Sequence, residues 1–407
     1  MLSWDVTPSV SSMQRERAWI EIDLEALAHN VRQIKQMLLP QTALMTVVKA
    51  DAYGHGAVAI ARTVLQQGAS WLGVATIPEG IELREAGISA PILLLGATNT
   101  AEQVRAIAQW QLQPTICTPK QALIFSESLA SESLVSKSLD DTETLSVHLK
   151  IDTGMSRLGV PWQEAAEFVQ LVERLPYLHI ASIYSHLATA DSEDLTILRL
   201  QHHRFEAAIA QLKAIGISPP RLHLANSAAA LVNPNLHYDI VRTGLTTYGL
   251  YPAPHLREAI DLRPVMQVKA RVTQVKPIQA GTGVSYGYRY IADQDRLMAV
   301  VGIGYADGVP RNLSNQMMVL VRGQPVPQIG AITMDQLMLD VSAIPDLQEG
   351  EVVTLLGQDG KHQITADDWA EKLNTISWEI LCSFKHRLPR VTVGRSLRPI
   401  FQKDQRE

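Results

Sequence analysis

Cysteine is scarce in this chain. Two occur in 407 residues, Cys117 and Cys382, far apart and without a paired spacing, so neither a disulfide framework nor a zinc site is suggested and no metal is expected. Such usage fits a reducing compartment. Basic runs of the kind that grip nucleic acid are missing. The formal net charge of -5 at pH 7 is mild for the length, so neither nucleic acid nor an anionic membrane is an expected partner. No apolar run approaches the roughly 18 residues that a membrane span requires. The amino-terminal MLSWDVTPSVSSMQRER has no apolar stretch of signal-peptide type. A soluble, cytoplasmic protein is the expectation.

The chain does have the material for large cores, 46% hydrophobic against 19% charged, and the length for two domains. Residues 1–18 read as a flexible tail. Short apolar runs then recur at 43–48, 71–75, 92–95, 114–117, 146–151, 179–184, 222–224 and 238–241. Between most of them lie helix-like stretches such as 57–67, 78–86, 162–175 and 198–215. Eight buried strands alternating with helices predict an α/β fold, a (β/α)₈ TIM-type barrel over 19–260. An open doubly wound sheet is the alternative, disfavoured because no glycine-rich dinucleotide turn follows the first strand. The polar segment 126–144 reads as an exposed surface excursion. Past 260 the strands crowd together, at 267–275, 296–303, 316–322, 336–341, 352–356 and 390–393, with a short helix at 365–373. A C-terminal, mainly β domain over 261–407 is expected.

In such a barrel the chemistry gathers at the C-terminal ends of the strands. The first strand runs MTVV straight into Lys49, so the stem of that lysine starts inside the barrel mouth. A buried lysine is costly unless its pKa falls or covalent linkage to an aldehyde removes its charge. The fifth strand ends in Lys150, Asp152 and Arg157, the sixth in His186, the seventh in Asn226 and Ser227, the eighth in Arg242 and Gly244. Taken singly, each has an ordinary explanation: a solvated strand end, a packed histidine, a surface arginine, a helix N-cap. Together on one face they do not. The RTGL turn can aim the N–H groups of Gly244 and Leu245 at an anion, and Ser227 adds a hydroxyl. Loops after the seventh and eighth strands are where such barrels bind phosphate. An internal lysine with a phosphate cradle is what pyridoxal phosphate requires.

At these residues the sequence resembles the alanine racemase family of fold-type III pyridoxal-phosphate enzymes. The motifs VVKADAYGHG, LKIDTGMSRLG, SHLATAD, HLANSAA, RTGLTTYGLYP, GVSYG, GYADGVPR and TMDQ follow in the family's order, from about Trp19 to Ile400. The resemblance implies that Lys49 carries the cofactor, pyridoxal 5'-phosphate, and that Tyr53, Ser227, Gly244 and Leu245 hold its phosphate, with Asn226 beside them. It implies that Arg242 faces the pyridine nitrogen and that Arg157 meets the cofactor's phenolic oxygen and the substrate carboxylate. His186 then stands between Arg242 and the catalytic tyrosine, Tyr286. Met334 matches a backbone donor to the substrate carboxylate, and Asp335 next to it has a supporting role. Lys150 matches a lysine that is often carbamylated and braces the Arg157 counterpart. In the family the tyrosine and methionine come from the partner subunit, which implies a homodimer with shared sites. Two positions depart from the family: Ala331 stands where an arginine is frequent, and His386, in KHRLPR, where some members place a phosphate-binding tyrosine.

The implied reaction interconverts L- and D-alanine through the imine of substrate and cofactor, supplying D-alanine for peptidoglycan. Racemisation removes the Cα proton from one face and returns it to the other, so two opposed bases are expected, Lys49 and Tyr286. A phenol has a reference pKa of about 10 and needs cationic neighbours to act near neutrality; His186 and Arg242 are the expected ones. The rivals are a decarboxylase of the same fold type, a racemase of another amino acid, and a non-catalytic cofactor-binding protein. The tyrosine of GVSYG argues against the first, and the β domain against the last.

Overall fold

The structure, a computed structural model, describes residues 17–135 and 144–394. The chain divides into two compact units. One takes Ala26–Ala52 and Gly56–Arg263; the other takes Tyr53–His55 and the described parts of Met1–Glu25 and Pro264–Glu407.

In the first unit the expected eight runs form strands at Ala43–Val47, Trp71–Val74, Ile92–Ala97, Gln113–Ile116, Leu145–Asp152, Leu178–Tyr184, Leu222–His223 and Ile240–Thr243. Each of the first six lies parallel to the next, and the eighth pairs in parallel with the first. Asp239 N–H on Leu222 O (3.0 Å) and Arg242 N–H on Ala225 O (3.1 Å) join the eighth to the seventh, so the sheet closes into a barrel. Its strands are near-continuously apolar because both faces are covered. Met45, Trp71, Leu93 and Ile240 from four strands pack as one core cluster. The helices outside are amphipathic: Ala57–Gln66 buries Ile60, Ala61 and Val64, and Ala165–Arg174 buries Phe168, Val169 and Val172. Each such aliphatic or aromatic side chain contributes about 1.5–3 kcal/mol on burial.

The first half of the segment 126–144 is not the excursion its composition predicts. The helix Pro119–Val135 runs through it and buries Phe125, Ser126 and Leu129, with the Ser126 hydroxyl donating to Pro176 O at 3.0 Å. Serines spaced among apolar residues at helical intervals hid the pattern. Residues 136–143 lie outside the described residues.

The second unit is a six-strand antiparallel ring of Met266–Ile278, Val352–Asp359, Met318–Val321, Gln324–Ile329, Leu337–Asp340 and Arg296–Val301. Ala18–Asp23, almost all within the 19–260 range read as the barrel, joins this sheet instead, antiparallel to Met266–Ile278 and parallel to Arg390–Val393. The tail expected over 1–18 lies outside the described residues up to 16. Arg17 grips the buried Asp307 with two bonds of 2.6 and 2.8 Å. The strand Gln324–Ile329 was not legible because it holds Pro325 and Pro327. Its pairing with Leu337–Asp340 begins only at Gln328, so the missing N–H groups cost that ladder nothing.

Candidate active site

Lys49 opens a short turn, Lys49–Gly54, directly after the first barrel strand. The Val47 carbonyl at the strand end accepts the Tyr248 hydroxyl at 2.8 Å, and Val48 N–H reaches Gly73 O at 2.8 Å. The turn is left-handed: Ala50, Asp51, Ala52 and Tyr53 have φ of 53, 52, 53 and 55°. Four consecutive non-glycine residues in this region cost on the order of 4–8 kcal/mol at roughly 1–2 kcal/mol each. Strain of this size persists only where surrounding contacts enforce it, and it concentrates at functional sites. Lys49 itself is half-buried.

Arg242 occupies the eighth strand, with 4% of its surface exposed. It donates to Ser185 O (2.8 Å), Leu224 O (3.1 Å), His223 Nδ1 (2.9 Å) and His186 Nδ1 (3.3 Å). Every acceptor is neutral, and among the described residues no carboxylate pairs with it. Burial lowers its pKa to about 10, which leaves it a cation at neutral pH.

Because arginine only donates, its bonds fix the tautomers beyond it. His223 Nδ1 must accept, so His223 Nε2–H donates to Ser182 Oγ (2.7 Å). Ser182 donates to His148 Nδ1 (2.6 Å), and His148 Nε2–H donates to Gln113 Oε1 (2.7 Å). This chain crosses the barrel interior. Sequence reading missed His148, Ser182 and His223 as a set; the visible signal was three polar residues inside otherwise apolar strands. His186 Nδ1 accepts from Arg242 by the same logic, so its Nε2 carries the proton.

All three histidines are neutral. Burial first, then the Arg221 charge, pushes His148 down to about 3 from an ordinary 6.5. His223 is lowered well below 6.5 by burial and then by Arg242. His186 is lowered by burial, then by Arg242, Lys150, Arg157 and Lys49. His186 is therefore not the cationic neighbour expected for Tyr286; it offers an N–H. Below pH 6.5 the unfolded chain takes up protons on these histidines that the folded chain refuses, so their stabilisation is full above 6.5 and is lost as pH falls, for His148 down to about 3. We expect the unfolding free energy to fall by up to about 1.4 kcal/mol per pH unit for each histidine. Denaturant titrations at pH 7, 6 and 5 measure this; a flat profile contradicts the neutral chain.

Lys150, on the fifth strand, is buried with its Nζ 4.2 Å from the Tyr184 ring centroid. Burial, followed by the Arg242 charge, holds its amine well below the ordinary lysine range. Tyr184 stacks on His223 at 4.5 Å and hydrogen-bonds Thr115 at 2.7 Å. Gly159, with φ 111°, packs on this strand end, where a Cβ would come within 2.8 Å of Lys150 Cγ and O. Asp152 Oδ1 accepts Gly154 N–H (2.9 Å) and Ser156 N–H (3.1 Å), ordering the loop that carries Arg157. Arg157 is exposed and has no carboxylate partner among the described residues.

After the seventh strand, Asn226 Oδ1 caps the helix Ser227–Val232 by accepting Ala229 N–H at 3.0 Å. The Ser227 hydroxyl accepts Gly244 N–H (3.0 Å) and the Thr246 hydroxyl (3.1 Å), drawing the turn after the eighth strand onto that helix start. The buried Leu245 N–H has no acceptor among the described residues. One unit thus brings together Lys49, Lys150, Arg157, His186, Asn226, Ser227, Arg242, Gly244 and Leu245.

Tyr53, Tyr286, Met334 and Asp335 belong to the other unit. Tyr53 is buried, which pushes its phenol above the ordinary range. Tyr286 is 72% exposed on a loop with Ser285, Gly287 and Tyr288 at φ 64, 70 and 45°. Ser285 Oγ donates to Ala331 O at 2.7 Å, which ties this loop to the segment leading into TMDQ. Ala331 is fully buried. Met334 is 53% exposed. Its carbonyl accepts Ala306 N–H at 3.0 Å, and Asp335 pairs with Arg387 at 2.6 Å. His386 is exposed.

The sequence models described as "Alanine racemase, N-terminal domain" and "Alanine racemase, C-terminal domain" match residues 22–252 and 265–392. A curated alanine racemase from Nostoc sp. is 70% identical over 93% of this chain and 96% of its own length. Another, from Synechocystis sp., is 61% identical over 94% of this chain and its whole length. Among solved structures, alanine racemase from Bacillus anthracis with bound L-Ala-P superposes with a TM-score of 0.84 at 34% identity, covering 93% of this chain and 95% of that one. That from Streptomyces coelicolor gives 0.86 at 34%, covering 94% and 100%.

Proposed function

The chain belongs to the alanine racemase family and interconverts L- and D-alanine; we propose that it does so with Lys49 and Tyr286 as opposed proton carriers around bound pyridoxal phosphate. The observation that carries this reading is Arg242, a fully buried cation offered only neutral acceptors, beside an acceptor-less buried Leu245 N–H and the Ser227 hydroxyl. The family is pyridoxal-phosphate-dependent. The residues fit such a group: an amine for its aldehyde at Lys49, the Ser227 hydroxyl and the Leu245 N–H for its phosphate, where the family resemblance also puts Tyr53 and Gly244, and a guanidinium for its ring nitrogen.

When bound, pyridoxal phosphate supplies the electron sink that acidifies the alanine Cα–H. Lys49 takes or returns the proton on one face, held by its strained turn. Tyr286 of the partner subunit does so on the other face. Its exposure in the single chain supports a homodimer in which Tyr286 and the Met334 N–H complete the neighbouring site. Arg157 offers its unpaired guanidinium to the substrate carboxylate. Arg242 cannot readily release a proton, so it would hold the ring nitrogen of such a group as a hydrogen-bond donor and would not protonate it. With His186 neutral, Arg242 supplies the positive charge that helps Tyr286 act as a base. Burial holds the Lys150 amine well below its ordinary range, which favours the neutral form that adds carbon dioxide; a carbamate there would give Arg157 an anionic brace. The proposed role is D-alanine supply for peptidoglycan in the cytoplasm.

The test is a panel of pure L-amino acids with the purified, cofactor-loaded protein, followed by chiral analysis. Alanine should be racemised to a 1:1 mixture, far faster than any other substrate. Faster turnover of another amino acid, or release of carbon dioxide, overturns this reading.

A further inference from the structure

Glu79 sits in the first turn of the helix Ile77–Glu85, after the second barrel strand. Its two carboxylate oxygens serve different partners. Oε2 accepts the N–H groups of Ala75 (2.7 Å) and Thr76 (3.1 Å), satisfying donors at the helix entry. Oε1 reaches away from that helix and accepts Ala50 N–H at 2.7 Å. Ala50 follows Lys49 and is the first residue of the left-handed run. Closing the helix does not require this bond. Further along, Asp51 accepts Gly56 N–H on its carbonyl (3.0 Å) and Ala57 N–H on Oδ1 (2.7 Å). Contacts thus hold the run from both sides, and the Ala50 bond is the one nearest the lysine.

We infer that Glu79 is a positioning residue for the racemase reaction: through Ala50 N–H it fixes the left-handed turn that aims the Lys49 amine at the substrate α-carbon. A left-handed run of non-glycine residues relaxes toward right-handed geometry unless held. Loss of the hold re-aims the stem of Lys49, and a displacement of about 1 Å at a reacting group costs about 10²-fold in rate. Tyr286, on a different loop, is untouched. The inference rests on Lys49 being the base and cofactor carrier.

Glu79→Gln isolates the bond. Its single amide oxygen can serve Ala75 and Thr76, which turns its NH₂ toward Ala50 N–H, so the helix entry keeps its acceptor and the turn loses its own. Three quantities are read on the cofactor-loaded variant: melting temperature, amide hydrogen exchange in peptides covering 49–54, and solvent deuterium uptake at Cα of each pure enantiomer. Amide exchange is repeated after the cofactor is removed. The expected result is near-normal melting, faster amide exchange confined to 49–54 in both forms, and a fall of about 10- to 10²-fold in uptake. That fall should be larger for D-alanine, which the family resemblance assigns to Lys49. Equal falls for both enantiomers with lowered melting mean a general structural role and overturn the inference, as does an unchanged variant. Lys49→Ala, run alongside, separates the readings: if it keeps the cofactor band, the assignment of Lys49 itself fails; if it loses the band while Glu79→Gln behaves as wild type, only the positioning role fails.

Discussion

Lys49→Ala is expected to lose the visible absorbance of a lysine-linked cofactor and to lower racemisation by at least about 10²–10⁴-fold, the range of a single proton-transfer group, with loss of covalent attachment adding to it. No other lysine described here can take its place. Lys150 is fixed against Tyr184, 4.2 Å from the ring centroid, and lies on the fifth strand. Folding should be unharmed, because Lys49 makes no ion pair among the described residues and alanine at the same position keeps the backbone of the turn. The inactive variant should also be rescuable. If Tyr286 reaches the partner's site, mixing Lys49→Ala with Tyr286→Phe subunits creates hybrid dimers with one intact site. Partial activity should then return once subunit exchange is confirmed. A retained absorbance band sinks the Lys49 assignment, and failure to complement sinks the shared site.

Tyr286→Phe should lower racemisation by at least about 10²–10⁴-fold while leaving the melting temperature within a degree or two. The side chain is 72% exposed, so little packing depends on the hydroxyl. Its loop is built by neighbours, through Ser285 on Ala331 O and left-handed Gly287 and Tyr288, and none of these contacts involves the phenol. Racemisation must fall equally in both directions, since the equilibrium constant between enantiomers is one. An unchanged rate in both directions removes Tyr286 from the chemistry.

The barrel strands were legible because a strand buried on both faces must be apolar along its length, and the runs that became Ala43–Val47 and Ile240–Thr243 are. The polar strand ends stood out against that background, which is why Lys49 and Arg242 could be picked from sequence. Other features were hidden because they arise from pairing in space. Ala18–Asp23 precedes the barrel in sequence, and only its partners, Met266–Ile278 and Arg390–Val393, place it in the other sheet. His148, Ser182 and His223 lie on three strands and become a chain only when those strands pair side by side. A left-handed run has no signature in the residues Ala50–Asp51–Ala52, none of which is glycine; it is imposed by acceptors such as Glu79, far along the chain. Ser126 and Leu129 are buried on a helix whose serine-rich composition masks its spacing.

The central claim is that two residues serve the two faces of the same carbon. It is tested most directly by deuterium uptake at Cα in Tyr286→Phe, measured on each pure enantiomer at short times by mass spectrometry, with the cofactor bound. The account predicts that Lys49 continues to exchange the α-proton of D-alanine while uptake into L-alanine falls by about 10²-fold or more. If both enantiomers lose exchange equally, the two-base assignment is wrong and Tyr286 orients the substrate without carrying its proton.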